Sequence, residues 1–131
     1  MSLEMHYFSA TLLLGFVYLL LATLAFLGQN GLAYAASPRD EPRPVVGKAG
    51  RMERAARNFM ETFPLFLGAM LLAQMTGIHN AKTLLGNELY FWARCIYIPV
   101  YVFGIPYLRT GVWAVSVVGI LVIMCGCCHY V

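Results

Sequence analysis

Apolar positions in this chain fall into four long runs separated by short polar stretches. The first begins at Tyr7, carries no charge to Leu27 and stays apolar to about residue 33. Some 20 apolar residues at 1.5 Å rise cross a hydrocarbon core of roughly 30 Å, so this run predicts a membrane span over about 7–33. Further runs predict spans over about 52–77, 84–104 and 111–130. Between the first two, Ser37–Gly50 reads SPRDEPRPVVGKAG, with three prolines and two glycines. Proline removes donors and glycine loosens the backbone, which predicts a solvated loop over about 37–50. The expected fold is an all-α integral membrane protein, one four-transmembrane-helix bundle occupying residues 1–131. A cleaved signal peptide is the competing reading of the first run, because Ala33-Tyr34-Ala35 mimics a small-x-small site. Against it, the run exceeds the 7–15 residue core of such a leader, and Glu4 stands where Lys or Arg is expected.

Composition strengthens this reading. The chain is 60% hydrophobic and 11% charged with a mean hydropathy of +0.70, against roughly 45–50% and 25% in soluble domains. Disorder is excluded and a water-soluble globule disfavoured, since six acids and nine bases cannot supply a polar exterior. A net charge of +3 argues against nucleic acid as the partner. The distribution of bases is more informative. Arg39, Arg43, Lys48, Arg51, Arg54 and Arg57 cluster at the first connection and Arg109 sits at the third, against Lys82 at the second. Base counting therefore places the first and third loops in the cytoplasm and both termini opposite, in a bacterial inner membrane or the endoplasmic reticulum.

Polar chemistry lies inside the apolar runs. Arg51, Arg54, Asn58 and Glu61 stand at i, i+3, i+7 and i+10, one stripe of a helix. An acid at the depth of Glu61 costs on the order of 2.5–3.5 kcal/mol unless it faces protein, water or a ligand. Arg94, Tyr97 and Tyr101 repeat the device on the third span, where Arg94 has Glu61 or Glu88 as candidate partners. Helix-holding ion pairs explain Arg94 alone about as well as function does. For the whole set that explanation weakens: guanidiniums, an amide, a carboxylate and phenols exceed what one ion pair needs. Guanidinium forks suit carboxylates, Glu61 suits an ammonium and Asn58 suits a peptide amide, so a small peptide with both charges fits. Arg109-Thr110 at the fourth span's edge reads either as a snorkelling anchor or as a cation that lowers the pKa of a bound thiol.

Other features carry less. Cys125, Cys127, Cys128 and His129 lack the spacing of a zinc site, and no metal is expected. His6, His79 and His129 sit near span ends without an obvious partner. Pro64 and Pro99 predict local kinks. Ser116, Gly119 and Gly126 offer a small-residue face for close helix packing, and Trp92 and Trp113 suit interfacial anchoring.

The stretch from Arg51 to Phe66, RMERAARNFMETFPLF, resembles the second-helix signature of the MAPEG family, membrane-associated proteins in eicosanoid and glutathione metabolism. Ala93-Arg94-Cys-Ile-Tyr97-Ile-Pro-Val-Tyr101, then Gly104-Ile-Pro-Tyr-Leu-Arg109-Thr-Gly-Val-Trp113, is similar to the family's third helix and following loop. The resemblance implies a homotrimer holding glutathione between subunits near the cytoplasmic face. It implies that Arg54, Arg57, Asn58, Glu61, Arg94, Tyr97 and Tyr101 bind glutathione, with a structural share for Arg94, and that Arg109 stabilises the thiolate. Thr110 stands where a prostaglandin E synthase relative has a serine. Two departures stand out: Gln29-Asn30-Gly31-Leu32 lacks an arginine that several relatives carry, and Tyr97 replaces the histidine of the prostaglandin synthase type. The spacing from Tyr101 to Arg109 also differs slightly from some relatives. The expected function is a glutathione-dependent membrane transferase or peroxidase acting on lipophilic electrophiles or lipid hydroperoxides. The alternatives are a non-catalytic lipid-binding or scaffold protein of the same fold and, less favoured, a small transporter or channel.

Overall fold

The computed structural model describes residues 1–128, which form four helices in chain order: α1 (Leu3–Ala36), α2 (Gly47–Thr76), α3 (Ala81–Val102) and α4 (Pro106–Cys128). Three of them, α1, α2 and α4, are long and apolar enough to cross a membrane. The third run differs from expectation for a physical reason. Its Asn87, Tyr90, Arg94 and Tyr97 lower its hydropathy, yet all four are buried against the neighbouring helices. The last residues of the expected fourth span, with His129, lie outside the described residues.

Local signals set the ends of these helices. Asn80 caps α3 through Lys82 and Thr83 in a reciprocal capping box. Gly77 closes α2 in the left-handed region at φ 69°, a conformation glycine adopts without Cβ strain. Gly104 (φ 74°) does the same after α3: its N–H donates to the Tyr101 carbonyl, and that of Ile105 to the Val100 carbonyl. Pro106 then opens α4, where its missing N–H costs nothing. The chain thus reverses within a few residues. Pro64 and Pro99 lie inside continuous helices, and the non-helical backbone within an element falls at Gly31 of α1 instead. The loop after α1 is tied back to it, because Gln29 both donates to and accepts from the Val46 backbone and the Tyr34 hydroxyl donates to the Glu41 carbonyl.

The core is aromatic and centred on α2. Tyr18 stacks on Phe59 with centroids 4.5 Å apart, and Phe66 on Tyr90 at 4.2 Å; Thr62 and Tyr90 share a hydrogen bond of 2.9 Å. Opposite faces point outward and are apolar, as lipid contact requires. At one end of the bundle, buried Glu4 lies 2.6 Å from the Nδ1 of His79, accepts from the Thr83 hydroxyl and offers its backbone carbonyl to Asn87. His79 therefore has a partner that the sequence did not reveal.

α3 and α4 cross backbone to backbone at Gly86 and Gly119. A Cβ on Gly119 falls 2.7 Å from the Gly86 carbonyl oxygen and 2.9 Å from the Tyr90 nitrogen, and one on Gly86 meets Ile123 at 2.6 Å. Small residues at such crossings let helices approach where lipid supplies no hydrophobic drive. Gly86→Val is expected to lose roughly 1–3 kcal/mol through overpacking. Thermal unfolding in detergent measures it, with Gly111→Ala, which meets nothing within 4 Å, as the neutral control.

Candidate functional site

One polar cavity of about 340 Å³ opens between α2, α3 and α4, lined by Arg54, Arg57, Asn58, Glu61, Tyr97, Tyr101, Arg109, Thr110 and Trp113. The α2 contribution follows from helical periodicity, the α3 pair from i, i+4 spacing. Arg109 arrives by the Gly104-Ile105-Pro106 reversal, which folds the start of α4 back over the end of α3. Its guanidinium carbon lies 4.9 Å from the Tyr101 ring centroid.

Tyr101 is the hub of the cationic wall. Its hydroxyl accepts from Arg54 Nε at 3.2 Å while its ring carries Arg109. Arg57 lies at the rim, paired with Glu53 at 3.1 Å; both side chains are well exposed, so that pair contributes little stability. Glu61 makes no ion pair among the described residues. The lining therefore holds three guanidiniums and one carboxylate, arranged to take a ligand richer in anionic than cationic groups.

Arg51, the first member of the sequence stripe, is absent from this wall. Its Nη1 donates to the Val102 carbonyl at 3.2 Å and its guanidinium packs on Gly104. The end of α3 presents unpaired carbonyls and takes the nearest cation. Arg51 thus braces the turn that delivers Arg109.

Arg94, expected among the glutathione-binding residues, is not one of the side chains that line the cavity. It is fully buried, and neither Glu61 nor Glu88 pairs with it. Its Nη2 donates to Asn58 Oδ1 at 2.9 Å, and aromatic rings surround it: Tyr97 at 4.4 Å, Phe59 at 5.5 Å and Tyr18 at 5.9 Å from the guanidinium carbon. Nε and Nη1 have no protein partner. Tyr18 further fixes this segment by donating to the Arg94 carbonyl at 2.5 Å. A guanidinium only donates, so the Asn58 oxygen must face Arg94, and the amide turns its two N–H donors away from it. Asn58 thereby offers donors to the cavity, which suits a carboxylate or a peptide carbonyl.

Sequence reasoning missed two of these side chains. Trp113, whose side chain suits an interfacial anchor, lines the cavity instead; its signal is the i, i+4 spacing from Arg109 on a helix. Tyr18, a lone tyrosine in a charge-free run, had no signal beyond a hydroxyl that needs a partner in lipid. No group of three or more metal-ligating side chains occurs among the described residues. Cys127 is buried and Cys125 and Cys128 are exposed.

A family model for MAPEG matches residues 7–129, nearly the whole chain and every cavity-lining residue. The chain belongs to the MAPEG family. It is accordingly a membrane protein of a family in glutathione and eicosanoid metabolism. MAPEG proteins use glutathione, and the family comprises glutathione transferases and related enzymes together with some non-catalytic members. Comparison with curated proteins and with solved structures gave no match.

Proposed function

We propose that this MAPEG protein is a glutathione transferase that also reduces lipid hydroperoxides, and whose glutathione occupies the polar cavity. The observation that carries the reading is the convergence of Arg54, Arg57, Arg109, Glu61 and Asn58 in one space of about 340 Å³, at the small end of the usual range for ligand sites. Three cations and one anion mirror glutathione as its thiolate, which has two carboxylates, one thiolate and one ammonium. Arg54 and Arg57 take carboxylates, Glu61 the ammonium, Asn58 a carbonyl or carboxylate, and the Tyr97 and Tyr101 hydroxyls add bonds. Arg109 then faces the sulfur with the Thr110 hydroxyl beside it.

Binding orders the tripeptide and Arg109 stabilises the thiolate, the reactive form. A lipophilic electrophile enters laterally from the bilayer past Trp113, and the thiolate attacks its electrophilic carbon while the leaving group departs. With a hydroperoxide, the thiolate attacks the terminal oxygen, the O–O bond breaks and the alkoxide leaves as the alcohol after taking a proton, and a second glutathione converts the sulfenic acid to the disulfide with release of water. The protein supplies proximity and electrostatics. α3 crosses the membrane with the other helices in this reading, the basic loop faces the cytoplasm, and three copies assemble so that neighbouring subunits close the exposed side of the cavity over Glu61.

Isothermal titration of the purified protein with glutathione, followed by turnover with chlorodinitrobenzene and cumene hydroperoxide, tests the proposal. Binding with turnover supports it. No binding up to millimolar glutathione favours the scaffold alternative. Glu61→Gln is expected to weaken glutathione about tenfold, the scale of one charge-assisted hydrogen bond, with little change in turnover at saturation; an unchanged dissociation constant removes Glu61 from the ammonium site.

A further inference from the structure

A second cavity, of about 400 Å³, lies on the other side of α2, between α1, α2 and α3. It lies beyond Tyr18, the last fully buried residue of α1, where partly buried residues such as Ala25 keep a looser contact with the core. The walls are apolar, formed by Leu21 and Ala25 of α1, Met52 of α2 and Ile98 of α3, with Lys48 as the one charged residue. From Leu21 to Ala25, from Met52 to Lys48 and from Ile98 to Phe103, each helix runs toward the same end of the bundle. The crevice therefore has a hydrocarbon floor and a cation at its mouth.

Lys48 is exposed and makes no hydrogen bond or ion pair among the described residues; its ammonium stands 5.6 Å from the Phe103 ring centroid. Of the neighbouring bases, two are held by backbone carbonyls and one, like Lys48, by an aromatic ring. Arg39 donates to the Ala35 carbonyl, Arg43 lies 4.5 Å over the Tyr34 ring and Arg51 donates to the Val102 carbonyl. We propose that this crevice binds one anionic phospholipid, its acyl chain along Leu21, Ala25, Met52 and Ile98 and its phosphate at Lys48. An apolar groove alone accepts any hydrocarbon chain. The unpaired ammonium at its polar end adds selectivity, because a zwitterionic headgroup offers no net charge to it. The site is separate from the glutathione cavity and does not depend on that assignment.

The test uses the full chain in phosphatidylcholine vesicles containing a trace of a phospholipid with a photoactivatable acyl chain, bearing either a phosphatidylglycerol or a phosphatidylcholine headgroup. Cross-linked peptides are mapped by mass spectrometry. The phosphatidylglycerol probe is expected to label the segments around Leu21–Ala25 and Ile98 about fivefold more than the phosphatidylcholine probe, the effect of one interfacial base. Lys48→Gln brings the two probes level, Lys48→Arg keeps the preference, and Ala25→Trp suppresses labelling by both. Equal labelling in the parent protein, or a preference untouched by Lys48→Gln, overturns the proposal and leaves annular lipid only. So does a crevice that neither probe labels.

Discussion

Arg109→Ala is expected to cut turnover with chlorodinitrobenzene by about 10²–10³ at neutral pH, the scale of losing one preorganised group that stabilises transition-state charge. Glutathione itself should remain bound, within a few-fold of the parent affinity, because Arg54, Arg57, Asn58 and Glu61 line the cavity independently of α4. The difference lies at the sulfur. A free thiol titrates at about 8.5 and an adjacent guanidinium lowers that value, so its removal returns the bound thiol toward the free one. The ultraviolet thiolate band of the complex should therefore vanish at pH 7 and return as the pH rises above roughly 8.5. Turnover should recover with it. Stacking of Arg109 on Tyr101 gives a second handle: Tyr101→Ala removes the ring that carries Arg109 and the hydroxyl that accepts from Arg54, and should reduce both binding and turnover. An Arg109→Ala protein that keeps its thiolate band at neutral pH shows that another group activates the sulfur.

Asn58→Asp should move stability and binding in opposite directions. Buried Arg94 has no acidic partner, and two of its nitrogens are unpaired. A carboxylate at position 58 replaces a neutral acceptor with a charged one, and such bonds are roughly twice as strong. The melting temperature is expected to rise. In the cavity the same change removes two donors and adds a negative charge where an acceptor of the ligand is to lie, so glutathione should bind roughly ten- to hundredfold more weakly. Asn58→Leu, which deletes the bond to Arg94, should lower both. A protein with Asp at this position that binds glutathione as the parent does places the ligand elsewhere.

These two substitutions also mark the boundary between what the chain announces and what its packing decides. Helices at these places are written in the apolar runs, since hydrocarbon leaves a backbone no other way to satisfy its N–H and C=O groups. The stripe of Arg54, Asn58 and Glu61 is equally legible, because spacing on one helix fixes a shared face whatever surrounds it. Partnership between helices is not so written. Arg51 and Arg54 differ by less than one turn, yet one braces the end of α3 and the other enters the cavity, according to which carbonyls the α3–α4 reversal leaves unpaired. Arg94 reads as an intramembrane cation in search of an acid; only the positions of Phe59, Tyr97 and Tyr18 show that ring faces and one amide surround it instead. His79 likewise meets Glu4 across an interval of 75 residues. Periodicity and hydropathy are local quantities, so they determined the elements, the polar face and the charged end of this protein. Which charge meets which partner depends on helix crossings set by contacts as small as Gly86 against Gly119, and tertiary structure alone decided that.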